Sequence, residues 1–259
     1  TDFSRSVTIF LVKNELCPKC RGTGYASVEK NGVRGVTRCD CVKTARSGRL
    51  MGDARIPVRY SHCELEGFGL TAEWRNASLE RAKSISDRYA REYPPSTPFG
   101  LLFMGPPGVG KTHLAVGILR KLIRDKSVPC LFRTFPDLLK EIQMSYSPIS
   151  MSSELSLLAP VLESEVLMLD ELGAQTPSAW VKETVSYILN YRYAENKVTI
   201  LTTNFLDQED LKSPRKSVSY SLTERIGEPM RSRLYEMCKT IVMQGEDFRQ
   251  RFKPDEHRL

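Results

Sequence analysis

Residues 99–126 read FGLLFMGPPGVGKTHLAVGILRKLIRDK, which is an apolar run, a Gly-rich turn and a helix-forming segment in succession. The apolar run at 99–104 predicts a buried strand, and apolar residues recur on one face of a helix over 111–126. The turn, 105–112, fits the pattern G-x-x-x-x-G-K-[ST] in the strand–turn–helix context that this pattern requires. Backbone N–H groups of such a turn surround phosphate oxygens, and the helix N-terminus adds positive partial charge. The segment therefore predicts a phosphate-binding loop.

Two side chains of this loop have predicted roles in holding a nucleotide. Lys111 would reach the β- and γ-phosphates of ATP or ADP, and the Thr112 hydroxyl would ligate Mg²⁺. The predicted nucleotide contacts of the loop are Gly105, Pro106, Pro107, Gly108, Val109, Gly110, Lys111 and Thr112.

Acidic and amide side chains follow two later apolar runs. Residues 166–170, VLMLD, predict a buried strand that delivers Asp170 to the sheet edge, where it would hold the Mg²⁺ of the nucleotide. Glu171 would orient and deprotonate the attacking water. Asn204 ends the strand predicted at 198–204 and would bond the γ-phosphate or that water, a role that the two preceding threonines could share. A turn-forming asparagine is the alternative.

Strands and helices alternate along the chain after residue 99. Two further strands are predicted at 130–135 and 240–244. Helices are predicted at 71–93, 111–126, 136–146, 153–165, 178–196 and, with a break at Gly227 and Pro229, 223–238. Five strands alternating with helices predict an α/β fold, in which a parallel sheet lies between two helical layers.

The composition of the 259 residues is that of an ordinary globular protein, with 41% apolar and 27% charged residues. No apolar run approaches the roughly 18 residues of a membrane helix. No signal peptide is recognisable, so we expect no membrane association and a cytoplasmic location. The net charge of +7 lies in residues 1–60, which hold 12 basic and 5 acidic residues. This segment favours an anionic partner or a solvated basic surface.

Four of the seven cysteines form two close pairs, at Cys17, Cys20, Cys39 and Cys41. Two pairs of thiolates suit a tetrahedral structural Zn²⁺ ion, although the second pair is C-x-C rather than C-x-x-C. His62 or Cys63 could in principle replace one of these ligands. Reduced structural cysteines without metal are the alternative.

Several motifs together resemble one family. The segments GPPGVGKTHL, LMLDELG, ILTTN and SRL resemble the AAA+ ATPases. Residues 56–68, IPVRYSHCELEGF, together with RIGEPMRSRLYEMC and GEDFRQR, resemble the DnaC-type replicative helicase loaders and the related IstB-type transposition ATPases. The similarity covers roughly residues 56–251.

The resemblance implies further site residues. Asn204 would be the sensor of the γ-phosphate, Arg233 would act as a finger on a neighbouring subunit's nucleotide, and Arg231 is the second candidate for that role. The IPVRY segment would flank the adenine. Arg249 is a weaker candidate for a late basic contact.

The resemblance also implies the domain organisation. A small zinc module over 1–50 would dock the helicase, 51–98 would be a basic connector with a helix, and 99–259 would be the AAA+ P-loop domain. The 15 residues after the last predicted strand are too few for the helical lid domain of many AAA+ proteins, so no lid is expected.

The function implied is an ATPase that self-associates into a ring or spiral and loads a hexameric DnaB-type helicase onto single-stranded DNA. In this group, an extra helix between the second and third strands lines a DNA-binding pore, and the matching residues are Lys140, Ser145 and Tyr146. Lys140 and Ser145 would contact phosphate, and Tyr146 would stack on a base. Two alternatives stay open: an IstB-type ATPase that delivers a transposase to duplex DNA, and a nucleotide-gated adaptor with negligible hydrolysis.

Overall fold

The computed structural model describes residues 17–30, 32–69, 74–147, 153–207 and 221–252. The chain divides into two compact units, residues 1–46 and residues 47–259.

The first unit contains a β-hairpin that the sequence analysis did not predict. Strand β1 (Tyr25–Lys30) pairs antiparallel with β2 (Val33–Arg38). The Asn-Gly dipeptide at positions 31–32 of the sequence is a typical hairpin signal that could have indicated it. Helix α1 (Asp40–Asp53) follows, and it was not among the helices predicted from the sequence. Its sequence, DCVKTARSGRLMGD, contains few apolar residues, and none of its residues is fully buried, so it gives little of the periodic apolar signal by which helices are recognised.

The second unit is built on a five-stranded parallel sheet, as predicted. The strands are β3 (Gly100–Met104), β4 (Cys130–Thr134), β5 (Val166–Asp170), β6 (Val198–Thr203) and β7 (Cys238–Val242). Their order across the sheet is β4-β5-β6-β3-β7. Strand β7 begins two residues before its predicted start, because Cys238 and Lys239 pair with Gly100 and Leu101.

Helices flank this sheet. They are α2 (Ala77–Glu92), α3 (Lys111–Lys126), α4 (Phe135–Ser145), α5 (Glu154–Glu163), α6 (Ala179–Ala194), α7 (Leu222–Ile226), α8 (Glu228–Met237) and the short α9 (Phe248–Phe252). A 3₁₀ turn lies at Val58–Tyr60. The predicted helical break is confirmed, because Gly227, with φ of +91°, separates α7 from α8. Within the described part of the chain, no helix has the length and apolar character needed to cross a bilayer.

Both faces of the sheet are buried, and alternate side chains of each strand enter different halves of the core. On β3, Leu101 and Phe103 pack with α2 and α3 on one face, whereas Leu102 and Met104 pack with α4 to α8 on the other. All five residues of β3 and of β5 are buried. Continuous apolar strands of this kind are typical of a parallel sheet between two helical layers.

A buried arginine fastens one of these layers to the sheet. Arg192 of α6 is fully buried, and its guanidinium donates hydrogen bonds to the carbonyls of Val161, Ser164 and Val198 and to Thr199 Oγ1. Burial lowers the pKa of this group to about 10. Because the carbonyls belong to the end of α5 and the start of β6, one side chain of α6 joins three elements.

The strand order places three functional segments at one edge. In a parallel sheet, the carboxyl ends of all strands meet at the same edge, and the crevice outside them is where ligands bind. Here β3 ends at the Gly-rich loop and β5 ends at Asp170. Strand β6 lies between them and is followed by Asn204.

Candidate nucleotide-binding site

The loop between β3 and α3 contains glycines at which a side chain would collide with another part of the chain, and two of them show this most clearly. Gly108 has φ of +78°, and a Cβ there would lie 1.8 Å from Asp247 Oδ1. Gly110 has φ of +94°, and a Cβ there would lie 2.5 Å from Phe68 Cε2. Asp247 and Phe68 therefore pack directly against the loop, and glycine at these positions keeps its backbone free of side chains, as a phosphate-binding loop requires.

Lys111 begins α3 and turns back onto the loop. Its side chain is only 7% exposed, and Nζ donates hydrogen bonds of 2.7 Å to the carbonyls of Gly105 and Pro106. Burial lowers the pKa of Lys111 to about 8, and the nearby Asp170 carboxylate opposes this shift. The ammonium group thus lies within the loop in which phosphates would bind.

Asp170 lies at the end of β5, beside two threonine hydroxyls. Thr112 Oγ1 donates to Asp170 Oδ1 at 3.0 Å, and Thr202 Oγ1 donates to the same oxygen. The side chain is 1% exposed; burial raises its pKa, whereas the hydrogen bonds from Thr202 and Thr112 and the charge of Lys111 lower it. A hydroxyl and a carboxylate in direct contact are oxygen ligands of the kind that Mg²⁺ prefers, so these residues fit the metal of a nucleotide complex.

Glu171 follows Asp170 and has a strained backbone. Its φ is +61°, which is uncommon for a residue other than glycine, and its N–H donates to Thr202 Oγ1 at 3.1 Å. Partial burial and the adjacent charge of Asp170 raise the pKa of its carboxyl group, which makes it a better general base. The Thr202 hydroxyl therefore contacts both the Asp170 carboxylate and the Glu171 backbone. Asn204 lies immediately after β6 and is exposed.

The C-terminal segment contributes residues to this site that the motifs alone did not assign. The Phe248 N–H donates to the Gly108 carbonyl at 3.2 Å, and Asp247 lies against Gly108. Arg249, paired with Asp247 at 3.1 Å, lowers the pKa of Lys111 through its charge. Arg249 is thus brought to the loop, and Asp247 was missed because only the pairing of β7 with β3 shows where the segment goes.

The IPVRY segment also reaches this edge. The Tyr60 ring, in the turn Val58–Tyr60, lies 5.9 Å from the Phe132 ring of β4. Burial raises the pKa of Tyr60, and the negative charges of Asp170 and Glu171 add to the effect. The segment therefore lies near the acidic side of the site, and its contact with adenine stays a prediction.

The two candidate finger residues have different surroundings. Arg231 is 3% exposed and forms a bidentate ion pair with Asp207, with Nη2 2.7 Å from Oδ2. Its guanidinium also lies over the Tyr235 ring, 3.6 Å from the centroid. Arg231 thus has a structural partner within its own chain.

Arg233 is closer to the surface. It is half-buried, donates to Asn190 Oδ1 and lies 5.0 Å from the centroid of the Tyr193 ring. These are neutral partners on α6, so its charge is not cancelled by a carboxylate in these contacts.

The candidate DNA contacts lie along α4 and at its end. Lys140 is exposed on the helix, and Tyr146, which follows it, has 55% of its surface exposed. Ser145 is half-buried and donates to the Ile142 carbonyl at 2.7 Å. Residues 148–152, which follow Tyr146 and Ser147 in the sequence, lie outside the described residues.

The first unit brings its four cysteines together. Cys17 Sγ lies 3.7 Å from Cys39 Sγ, Cys20 Sγ lies 3.4 Å from Cys41 Sγ, and all four sulfurs lie within 4.8 Å of one another. Sulfurs bound to one tetrahedral zinc at about 2.3 Å would be about 3.8 Å apart, so the donor set fits this ion. A backbone hydrogen bond from Gly24 lowers the pKa of Cys20 to about 7, which places N–H groups of the Gly-rich turn at a sulfur. His62 and Cys63 belong to the second unit and lie with His113 instead.

A buried lysine in a Gly-rich loop and a hydroxyl–carboxylate pair at the carboxyl edge of a parallel α/β sheet define a P-loop domain of the AAA+ class. A sequence profile described as IstB-like ATP binding protein matches residues 82–255, about two thirds of the chain. The chain belongs to this family of ATP-binding proteins, to which the DnaC-type helicase loaders are related.

Individual relatives agree with this assignment. The chain is 31% identical over 172 residues to the replicative helicase loader DnaC of Buchnera aphidicola subsp. Schizaphis graminum, covering 66% of this chain and 67% of that protein. It is 24% identical over 235 residues to the phage-like element PBSX protein XkdC of Bacillus subtilis, covering 88% and 81%. A crystal structure of the DnaC helicase loader superimposes with a TM-score of 0.60 and 34% identity, covering 72% of this chain and 99% of that chain. The resemblance inferred from the motifs is therefore confirmed.

Proposed function

We propose that this chain is an ATP-dependent loader that places a DnaB-type replicative helicase on single-stranded DNA. The observation that carries the proposal is the 34% identity to the DnaC helicase loader across 99% of that structure, on a chain whose own P-loop, Thr112 and Asp170 are assembled at one edge.

The site supports ATP hydrolysis by a division of roles. The loop and Lys111 would bind the phosphates, and Thr112 and Asp170 would hold Mg²⁺, which when bound neutralises phosphate charge. Glu171, with its raised pKa, would accept the proton of the attacking water. Asn204, exposed beside them, would bond the γ-phosphate or the water.

Assembly would complete the site. Arg233 has only neutral partners among the contacts described above, and its guanidinium would be offered to the nucleotide of a neighbouring subunit in a ring or spiral. Arg231 would instead support the fold through Asp207.

The remaining regions would contact the partners. The module proposed for residues 1–50, with Zn²⁺ on its four cysteines, would dock the helicase, and 51–98 would connect it to the ATPase domain at 99–259. Lys140, Ser145 and Tyr146 would line the path of single-stranded DNA. Stacking and phosphate contacts of this kind carry no sequence preference, which suits a loader.

A capture experiment tests the proposal. The full chain is immobilised and offered, in separate reactions with ATP, the purified replicative helicase and a purified transposase encoded by the same genome. Retention of the helicase, and its transfer to single-stranded DNA on hydrolysis, is expected. Retention of the transposase alone would overturn the proposal in favour of the IstB-type alternative, and retention of neither would overturn both.

The rate of ATP hydrolysis distinguishes a loader from a nucleotide-gated adaptor. With single-stranded DNA and helicase present, the wild-type chain should hydrolyse ATP, and Glu171→Gln should bind ATP normally but hydrolyse it at least roughly 100-fold more slowly. Equal rates for the two chains would identify a nucleotide-gated adaptor instead.

A further inference from the structure

Three side chains with metal-binding atoms meet beside the nucleotide site, and the functions proposed above do not use them. His62, Cys63 and His113 each offer one ligand atom, and these atoms lie within 4.8 Å of one another. Cys63 Sγ is 3.9 Å from His62 Nε2, and the two imidazole centroids are 6.1 Å apart. The three residues come from two elements, because His62 and Cys63 follow the 3₁₀ turn, whereas His113 is the third residue of α3.

The contacts around His113 give its ring a fixed orientation. Its Nε2 lies 2.9 Å from the Glu64 carbonyl, so Nε2 carries the proton and Nδ1 of the neutral ring keeps its lone pair. A backbone carbonyl on the second ring nitrogen is the usual support of a metal-bound histidine. The ring of Phe68, 5.4 Å away, packs against the same imidazole.

The carboxylate that follows Cys63 in the sequence is already paired with two arginines. The carboxylate of Glu64, the adjacent acid in sequence, is held by Arg120 at 2.7 Å and by Arg124 at 3.0 Å. Cys63 is 2% exposed, whereas its sequence neighbour His62 is exposed and has its Nε2 3.9 Å from the Cys63 sulfur. Two imidazoles and one thiolate are a donor set that selects zinc over magnesium or calcium.

We propose that His62, Cys63 and His113 form a second zinc site, which fastens the segment after the IPVRY motif to the start of α3. His62 is the exposed member of the three, so an ion held here would be accessible to solvent on its side. Because His113 directly follows Thr112, the ion joins this segment to the residue that would hold the magnesium of the nucleotide. The site is independent of the Cys17–Cys41 cluster and of the proposed loader function.

Metal counting on the full-length chain tests this site. The chelator-treated protein is titrated with Zn²⁺ alone, and bound zinc per chain is measured. The informative variant is His62→Ala, because this exposed side chain can be removed without opening the core. Cys63→Ser is the second variant, and Cys130→Ser is the matched control, since Cys130 is an equally buried thiol outside both clusters.

The wild-type chain and Cys130→Ser should each bind one more zinc ion than His62→Ala and Cys63→Ser. Where residual binding at this site is measurable, its Kd should rise roughly 100-fold or more, because even the loss of a supporting residue costs 10- to 100-fold. Zinc should also raise the Tm of the wild-type chain further than that of His62→Ala. Equal zinc content and affinity in the wild-type chain and His62→Ala would overturn the proposal, whatever the N-terminal cluster binds.

Discussion

The substitution Thr202→Val removes a hydroxyl that contacts the Asp170 carboxylate and the Glu171 backbone N–H. Thr202 Oγ1 donates to Asp170 Oδ1 and accepts the Glu171 N–H, and the side chain is 2% exposed. Valine has nearly the same shape, so the change removes hydrogen bonds without opening a cavity. The hydrogen bond lost is one to the charged carboxylate of Asp170, and such a bond contributes about 1.5–3 kcal/mol. The rate of ATP hydrolysis should therefore fall roughly 10- to 100-fold.

The neighbouring residue supplies a matched control. Thr203, 1% exposed, also donates one hydrogen bond, to the Leu172 carbonyl at 2.8 Å, and accepts one, from the Phe205 N–H at 3.2 Å, but it does not touch either acid. Thr203→Val removes the partner of the Leu172 carbonyl and of the Phe205 N–H. Thr202→Val removes the partner of the Glu171 N–H and one of the two hydroxyls that donate to Asp170 Oδ1, which keeps its hydrogen bond from Thr112. The free energy of unfolding should therefore fall by about 2 kcal/mol in both, which lowers Tm by roughly 4–8 °C.

The assay compares steady-state ATP hydrolysis with thermal unfolding for the two variants. We expect equal losses of Tm, a large loss of hydrolysis for Thr202→Val, and hydrolysis within about threefold of wild type for Thr203→Val. If both variants lose hydrolysis to the same extent, the effect is one of general stability. In that case the argument that Thr202 positions the two acids is refuted.

Four further outcomes are expected. Lys111→Ala should abolish ATP binding in equilibrium titrations, and unchanged affinity would contradict the placement of the phosphates. Arg231→Ala should lower the free energy of unfolding by about 2–3 kcal/mol, because it removes the ion-pair partner of Asp207. Arg233→Ala should change the free energy of unfolding by under about 1 kcal/mol and should reduce ATP hydrolysis only in the assembled protein. The hydrogen bond from Arg231 lowers the pKa of Asp207, so the charged form of Asp207 stabilises the folded chain. The loss in free energy of unfolding caused by Asp207→Asn, measured by denaturant unfolding, should therefore be greatest above the ordinary pKa of 3.8 and should shrink as the pH falls below it. Cys39→Ser should lose the zinc of the first unit in metal analysis, and an unchanged zinc content would exclude Cys39 as a ligand.

The sequence predicted those parts of the site whose chemistry is local. The loop at 105–112 and the acid at the end of VLMLD are adjacent to their own strands, and a strand–turn–helix pattern fixes where such residues lie. The approach of Thr112 to Asp170 follows from the parallel order of the strands. The motif at 105–112 therefore predicted both the fold class and the position of the candidate nucleotide site.

Long-range contacts could not be predicted in the same way. The contact of Asp247 with Gly108 depends on the pairing of β7 with β3, more than 130 residues apart in the chain. The resemblance ranked Arg233 before Arg231 as the finger, but only the position of Asp207 shows that Arg231 forms a buried ion pair and Arg233 does not. Helix α1 was missed because no residue in it is buried.

The contact between the C-terminal segment and the loop gives the protein an optical signal of its own. The Trp74 ring lies 5.0 Å from the Phe248 ring, and Phe248 is hydrogen-bonded through its N–H to Gly108 of the loop. The chain has two tryptophans, so Trp180→Phe leaves Trp74 as the single indole. Its fluorescence then reports on the phosphate-binding loop without an attached dye, and displacement of the segment by a nucleotide can be followed in real time.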